Sequence, residues 1–123
     1  MGKYSFHKSE RLSSQRDIEA LFSNGSSFTM YPFKVLAQVN PGQAKSHQVL
    51  ISAAKRHFRR AVDRNLIKRR IREAYRLNRA RLPETPKLQI AYLYVAKEIL
   101  SFQEIEGKLI ESLERLQKYA QKT

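Results

Sequence analysis

Twelve lysines and arginines fall between residues 55 and 81, interrupted only by Asp63 and Glu73. Side chains of this kind do one sort of chemistry well. They neutralise and grip phosphate oxygens, and arginine forks also stack on flat rings. On a helical wheel at about 100° per residue, Asn65, Lys68, Arg69, Arg72, Arg76 and Arg79 share one half. Leu66, Ile67, Ile71, Ala74, Tyr75 and Leu77 share the other, which would pack on a sheet. The steps Lys68 to Arg72 to Arg76 to Arg79 are four, four and three residues, so these heads line one ridge. Lys55, Arg56, Arg59 and Arg60 precede the helix and extend the patch, and Asn65 adds a donor and an acceptor. Arg64 and Arg70 lie nearer the apolar side, where long stems snorkel at a packing edge. Like charges at i, i+4 spacing cost a helix about 0.2–0.5 kcal/mol per pair. Such a ridge is therefore selected for something other than stability. A merely solvated face is the plain alternative, but it suits runs of mixed sign better than this one. A patch that neutralised about six to eight phosphates would lose several decades of affinity over a few-fold rise in salt.

No comparable arrangement exists for catalysis. Phosphodiester hydrolysis by a protein normally wants clustered carboxylates for Mg²⁺ or a paired acid and base. The chain has only two aspartates, Asp17 and Asp63, far apart in sequence. Glu104, Glu106, Glu111 and Glu114 read as the solvated face of a helix. His7, His47 and His57 lack zinc-ligand spacing. His57 lies within the basic patch and could touch phosphate. Four glycines make no phosphate-cradling loop. Without cysteine, disulfides and thiolate metal sites are excluded.

The elements that position the patch follow from length and pattern. A chain of 123 residues suits one domain, and 41% hydrophobic residues can build a core. A formal charge of +13 works against the compact state unless a polyanion neutralises it. Nucleic acid is the first candidate and an anionic membrane surface the second. Residues 1–11 carry Lys3, Lys8 and Arg11 but no apolar run of signal-peptide length, and no stretch is long and apolar enough to span a bilayer. A cytoplasmic location is expected.

Ser14 can cap a first helix, with Ile18, Leu21 and Phe22 along one face and Asn24-Gly25 as its stop. Phe28 to Val39 reads as one strand, with Phe33, Val35, Ala37 and Val39 alternating with Lys34, Leu36 and Gln38. Pro32 suggests an edge or bulge at its start. Gln48 to Ala54 reads as its antiparallel partner, after the turn Asn40-Pro41-Gly42. The longest helical pattern runs from Arg60 or Ala61 to about Leu82. Leu88 to Ala96 reads as a buried strand. Ser101 caps a last helix with Ile105, Leu109, Leu113 and Leu116 as its buried stripe, and Lys118 and Lys122 near its end. The order α-β-β-α-β-α implies an α+β domain with a small central sheet packed by helices. The expected domain is residues 1–123, with an ordered core of about residues 10–118 and the basic segment at 55–81.

The run from Ala61 to Arg76, AVDRNLIKRRIREAYR, resembles the signature of the bacterial ribonuclease P protein family. That family carries Ala-Val-x-Arg-Asn-Arg-x-Lys-Arg-x-x-Arg-Glu-Ala-aromatic-Arg on its central helix. Arg16-Asp17-Ile18 to Phe22 with Gly25 and Phe28 looks like the family's first helix and its exit. Tyr94-Val95-Ala96-Lys97 is similar to the end of its third strand. The resemblance covers about residues 10–118. The family's third triplet arginine is Leu66 here, its Ser-Val-Ser-Lys-Lys strand end is Ser52-Ala53-Ala54-Lys55-Arg56, and its usual Phe on the first helix is Ile18.

The resemblance implies the protein subunit of a ribonucleoprotein that removes the 5′ leader of precursor tRNA. Its RNA is the catalyst and uses Mg²⁺ held mainly by that RNA, so no cofactor of the protein and no activity of the protein alone are expected. The implied partners are ribonuclease P RNA and precursor tRNA, with neither DNA nor membrane. The implied RNA-binding residues are Lys55, Arg56, Arg59, Arg60, Arg64, Asn65, Lys68, Arg69, Arg72 and Arg76. The leader would lie between the first helix and the sheet, with Ile18, Phe22 and Phe33 as candidates to meet its bases. Core packing is the open alternative for all three. The family fold also implies a left-handed β-α-β crossover, against the usual rule. A ribosomal or other structural RNA-binding protein shares the charge and the α+β class. The strand-like Val49 to Ser52 ahead of the basic helix disfavours a DNA-binding helix-turn-helix.

Overall fold

The computed structural model describes residues 8–42 and 44–122. His7 and most of the segment read for a signal sequence lie outside them. The first helix, α1 (Gln15–Asn24), starts where Ser14 Oγ accepts a hydrogen bond from the Asp17 N–H at 3.3 Å. Two strands follow, β1 (Ser26–Met30) and β2 (Phe33–Val39). The single strand expected from Phe28 to Val39 is thus a hairpin, reversed in a turn at Tyr31-Pro32. Proline has no N–H for a ladder and suits the turn rather than a strand interior.

β3 (Gln48–Ala53) leads to α2 (Ala61–Asn78), a 3-10 turn (Arg79–Arg81), β4 (Leu88–Tyr94) and α3 (Phe102–Gln121). At 20 residues α3 is longer than α2 at 18, contrary to expectation. Serine at its start explains its definition. Ser101 Oγ accepts from the Glu104 N–H at 3.2 Å, and Glu104 Oε1 accepts from the Ser101 N–H at 3.3 Å.

The sheet order is β1-β2-β4-β3. β3 therefore does not pair with β2. It runs parallel to β4, with α2 as the crossover between them, and β4 is antiparallel to β2. The reason lies in β4 itself. Leu88, Ile90, Tyr92 and Tyr94 point to one face and Ala91 and Leu93 to the other, so only a central position covers both. Along the outer edge of β3, the Leu12 N–H donates to Val49 O at 3.0 Å and covers part of the open ladder.

α2 and α3 share one face of the sheet. Phe33, Tyr92, Tyr94, Ile67, Ile71, Tyr75 and the expected α3 stripe form the main core there. The buried Tyr92 hydroxyl donates to Ser112 Oγ at 2.6 Å, and the Ser112 hydroxyl in turn donates a hydrogen bond to Leu109 O. α1 lies on the opposite face, where Leu21 packs with Leu12, Leu36 and Ala91, flanked by Ile18, Leu50 and Leu93. Among the described residues no helix is long and apolar enough to cross a membrane.

Candidate nucleic-acid interface

The basic segment is fixed by two anchors. Phe58 is buried beside Tyr94, with ring centroids 6.0 Å apart. It pins the loop between β3 and α2 and leaves Lys55, Arg56, Arg59 and Arg60 on the surface. Arg64 is the second anchor. Its Nη1 donates to Phe58 O at 2.7 Å and to Arg59 O at 3.0 Å. Arg64, grouped above with the RNA-binding residues, thus has that nitrogen turned inward to hold the loop against the helix.

On α2 the wheel is largely realised. Ile67, Ile71, Ala74 and Tyr75 are buried, Asn65 and Arg69 are exposed, and Lys68, Arg72 and Arg76 are half-exposed. Arg70 donates to Leu100 O, as expected of a residue at the packing edge. Three details differ. Leu77, assigned to the packed half, is 42% exposed. Arg76 makes a two-pronged pair with Glu73, Nε to Oε1 at 2.7 Å and Nη2 to Oε2 at 2.8 Å. That pair holds the Glu73 carboxyl below its usual range and raises Arg76. Arg79 leaves the ridge altogether, because the α-helix ends at Asn78 and the guanidinium turns to the buried carboxylate of Glu10. The exposed and half-exposed ridge is therefore Asn65, Lys68, Arg69 and Arg72, continued by the Glu73-paired Arg76.

Below α1 the sheet is only partly covered. Phe22, 48% exposed, overhangs a groove of about 430 Å³ floored by Leu50, Ser52 and Leu93 and closed by Arg56 and His57. Register explains the floor. Lys34, Leu93 and Ser52 stand abreast across β2, β4 and β3, one row beyond the Leu36, Ala91 and Leu50 row that α1 covers. Ile18 is half-buried in the α1 cluster. Phe33 is fully buried on the other face, edge-on to Tyr92 and Tyr94 at 5.3 and 6.3 Å, and cannot meet a ligand in this groove. Strand alternation already separates Phe33 from Lys34. The same parity would have named Ser52 and Leu93, which line the groove and which sequence reasoning missed.

The family model for ribonuclease P matches residues 6–117. This chain belongs to the ribonuclease P protein family. The ribonuclease P protein component of Porphyromonas gingivalis is 36% identical over 119 residues, covering 92% of this chain and 87% of that one. That of Chromohalobacter salexigens is 32% identical over 91 residues, covering 74% and 70%. The structure of the ribonuclease P protein from Thermotoga maritima superposes with a TM-score of 0.73 at 28% identity, covering 86% of this chain and 96% of that one. The Staphylococcus aureus protein shares the fold, with a TM-score of 0.74 at 22% identity over 90% of this chain and 97% of that one. In this member of the ribonuclease P family, the groove under α1 shares Arg56 and His57 with the basic loop that leads from β3 into α2. Among the described residues no group of three or more histidine, aspartate or glutamate side chains comes together.

Proposed function

We propose that this chain is the protein subunit of ribonuclease P, grips the catalytic RNA through its basic side, and holds the 5′ leader of precursor tRNA in the groove under α1. The protein is the non-catalytic part of the holoenzyme. The RNA performs the cleavage, and the Mg²⁺ it uses is held by RNA.

The observation that carries the reading is the way the groove ends. Its apolar floor and the Phe22 ring would receive unpaired bases, while Arg56 and His57 at its mouth would meet the phosphates between them. From Arg56 the positive surface continues through Arg59 and Arg60 to Asn65, Lys68, Arg69 and Arg72. A chain lying in the groove would thus leave it beside the RNA-gripping ridge. The protein supplies position and charge neutralisation, which suits a subunit that aids an RNA catalyst.

Reconstitution tests this directly. The purified protein is mixed with a bacterial ribonuclease P RNA and a precursor tRNA at low Mg²⁺, beside RNA alone and protein alone. The expected result is faster leader removal by the pair, no cleavage by the protein, and loss of stimulation in the Lys68→Ala/Arg69→Ala/Arg72→Ala variant. Binding of structured RNA without any stimulation would sink the subunit reading in favour of a structural RNA-binding protein.

A further inference from the structure

The sheet order places β1 and β3 at opposite edges, so the end of α3 beside β1 lies away from the basic side built on β3 and α2. A groove of about 300 Å³ separates Ser26, Ser27 and Phe28 of β1 from the last turns of α3. Arg115, Lys118 and Lys122 line it from the helix side, with Tyr119 among them. The Arg115 guanidinium sits 4.4 Å above the Phe28 ring, which fixes one cation at the wall. Lys118 and Lys122 form no ion pair among the described residues, whereas Lys108 on the same helix is paired with Glu111 at 3.4 Å. Cations at a helix C-terminus also offset its dipole. That explains their place along the helix, but neither the groove they share nor the arginine set on an aromatic ring.

We infer that this groove binds a single-stranded segment of RNA, at a second site separate from the α2 ridge and from the groove under α1. The inference rests on the reading of the chain as an RNA-binding subunit and adds a contact surface to it. Charge complementarity selects a polyanion, since the lining carries three cations and no carboxylate. Single strands fit better than duplex for two reasons. Tyr119 is half-buried and lines the groove beside the Phe28 ring that Arg115 already covers, so its ring is the one placed to meet an unstacked base. The outer edge of β1 pairs with no strand among the described residues, so main-chain groups and the Ser26 and Ser27 hydroxyls remain for base edges. A duplex would keep its bases stacked inside and offer this edge little but phosphate. The family match stops at residue 117, so Lys118 and Lys122 lie beyond it.

The probe is an oligouridylate of about ten nucleotides, titrated into isotopically labelled protein. Amide resonances of residues 26–28 and 115–122 are expected to shift with the wild type. They shift equally in the Lys68→Ala/Arg69→Ala/Arg72→Ala variant and stay still in Lys118→Gln/Lys122→Gln, whose melting curve overlays the wild type. The double variant also lowers the salt slope of oligouridylate binding by about 1.4. Shifts confined to α2 and the groove under α1, or undiminished in the double variant, overturn the site. Binding of ribonuclease P RNA, measured in parallel, decides the subunit reading on its own.

Discussion

Phe22 and Phe33 illustrate how much a side chain's function depends on which way the backbone turns it. Phe22 stands half-exposed over the groove, and Phe33 is sealed among tyrosines. Phe33→Ala is therefore expected to cost about 3–5 kcal/mol of folding stability. Phe22→Ala should leave the denaturation midpoint nearly unchanged and weaken binding of a leader-bearing precursor by about 1–3 kcal/mol, with no effect on a substrate lacking the leader. Chemical denaturation and binding to the two substrates separate these outcomes, and equal loss on both substrates would remove Phe22 from the leader site. His47 makes a second residue-level prediction. Its Nδ1 accepts from the Leu88 N–H at 2.9 Å, so the ring proton is on Nε2, which donates to Pro83 O at 2.8 Å. Burial is the main cause that lowers its pKa, and Lys87 adds to it, while Pro83 O and the Glu10 carboxylate act the other way. The folded pKa thus lies below the unfolded value of 6.5. The stability that the neutral ring contributes is present above pH 6.5 and is lost as pH falls below it toward the folded value. Denaturation midpoints of the wild type should drop on acidification through this window, and those of His47→Gln should drop less. Parallel curves for the two proteins would rule out the histidine as the cause.

At the scale of elements, Gly25 decides how α1 meets the sheet. Its backbone is extended, at φ −69° and ψ 154°, so no left-handed turn demands glycine. Space does. A Cβ there would lie 2.5 Å from Leu21 O and 3.2 Å from Ala37 O, both main-chain atoms. Gly25→Ala must distort the last turn of α1 and crowd β2 at Ala37, and it is expected to cost about 1–3 kcal/mol in a melt and to weaken leader binding with it. Unchanged stability would mean that α1 can shift freely, and the groove it roofs would then be no fixed site. The existence of α1, α2 and α3 was legible because each repeats apolar residues at helical spacing, with a capping serine marking the start of α1 and of α3. The α2 ridge was legible for the same reason. Strand partners were not, because alternation marks a face and says nothing of the neighbour. Only the two-sided apolar character of β4 hinted at its central place. The loss of Arg79 from the ridge was equally hidden, since its partner Glu10 is 69 residues away in sequence.

For the whole molecule, salt should act in opposite directions on folding and on binding. The formal charge is +13, and the exposed cations of the β3–α2 loop and α2 repel one another in the free protein. Raising ionic strength from about 0.05 to 0.5 M shortens the screening length to a few ångströms and relieves that repulsion. The melting temperature of the protein alone is therefore expected to rise with salt. Affinity for ribonuclease P RNA is expected to fall linearly on logarithmic axes, because each neutralised phosphate releases counterions. The variant Lys68→Ala/Arg69→Ala/Arg72→Ala links the two effects. It removes three charges from the ridge, so its melting temperature should vary less with salt, and its binding slope should be shallower by about 2–3. Arg76→Ala should change the slope less per charge removed, since Glu73 already holds that guanidinium. If the wild-type melting temperature instead fell as salt was added, ion pairs within the chain would outweigh the repulsion. The ridge would then be a neutralised surface, and RNA would have no unmet charge there to satisfy.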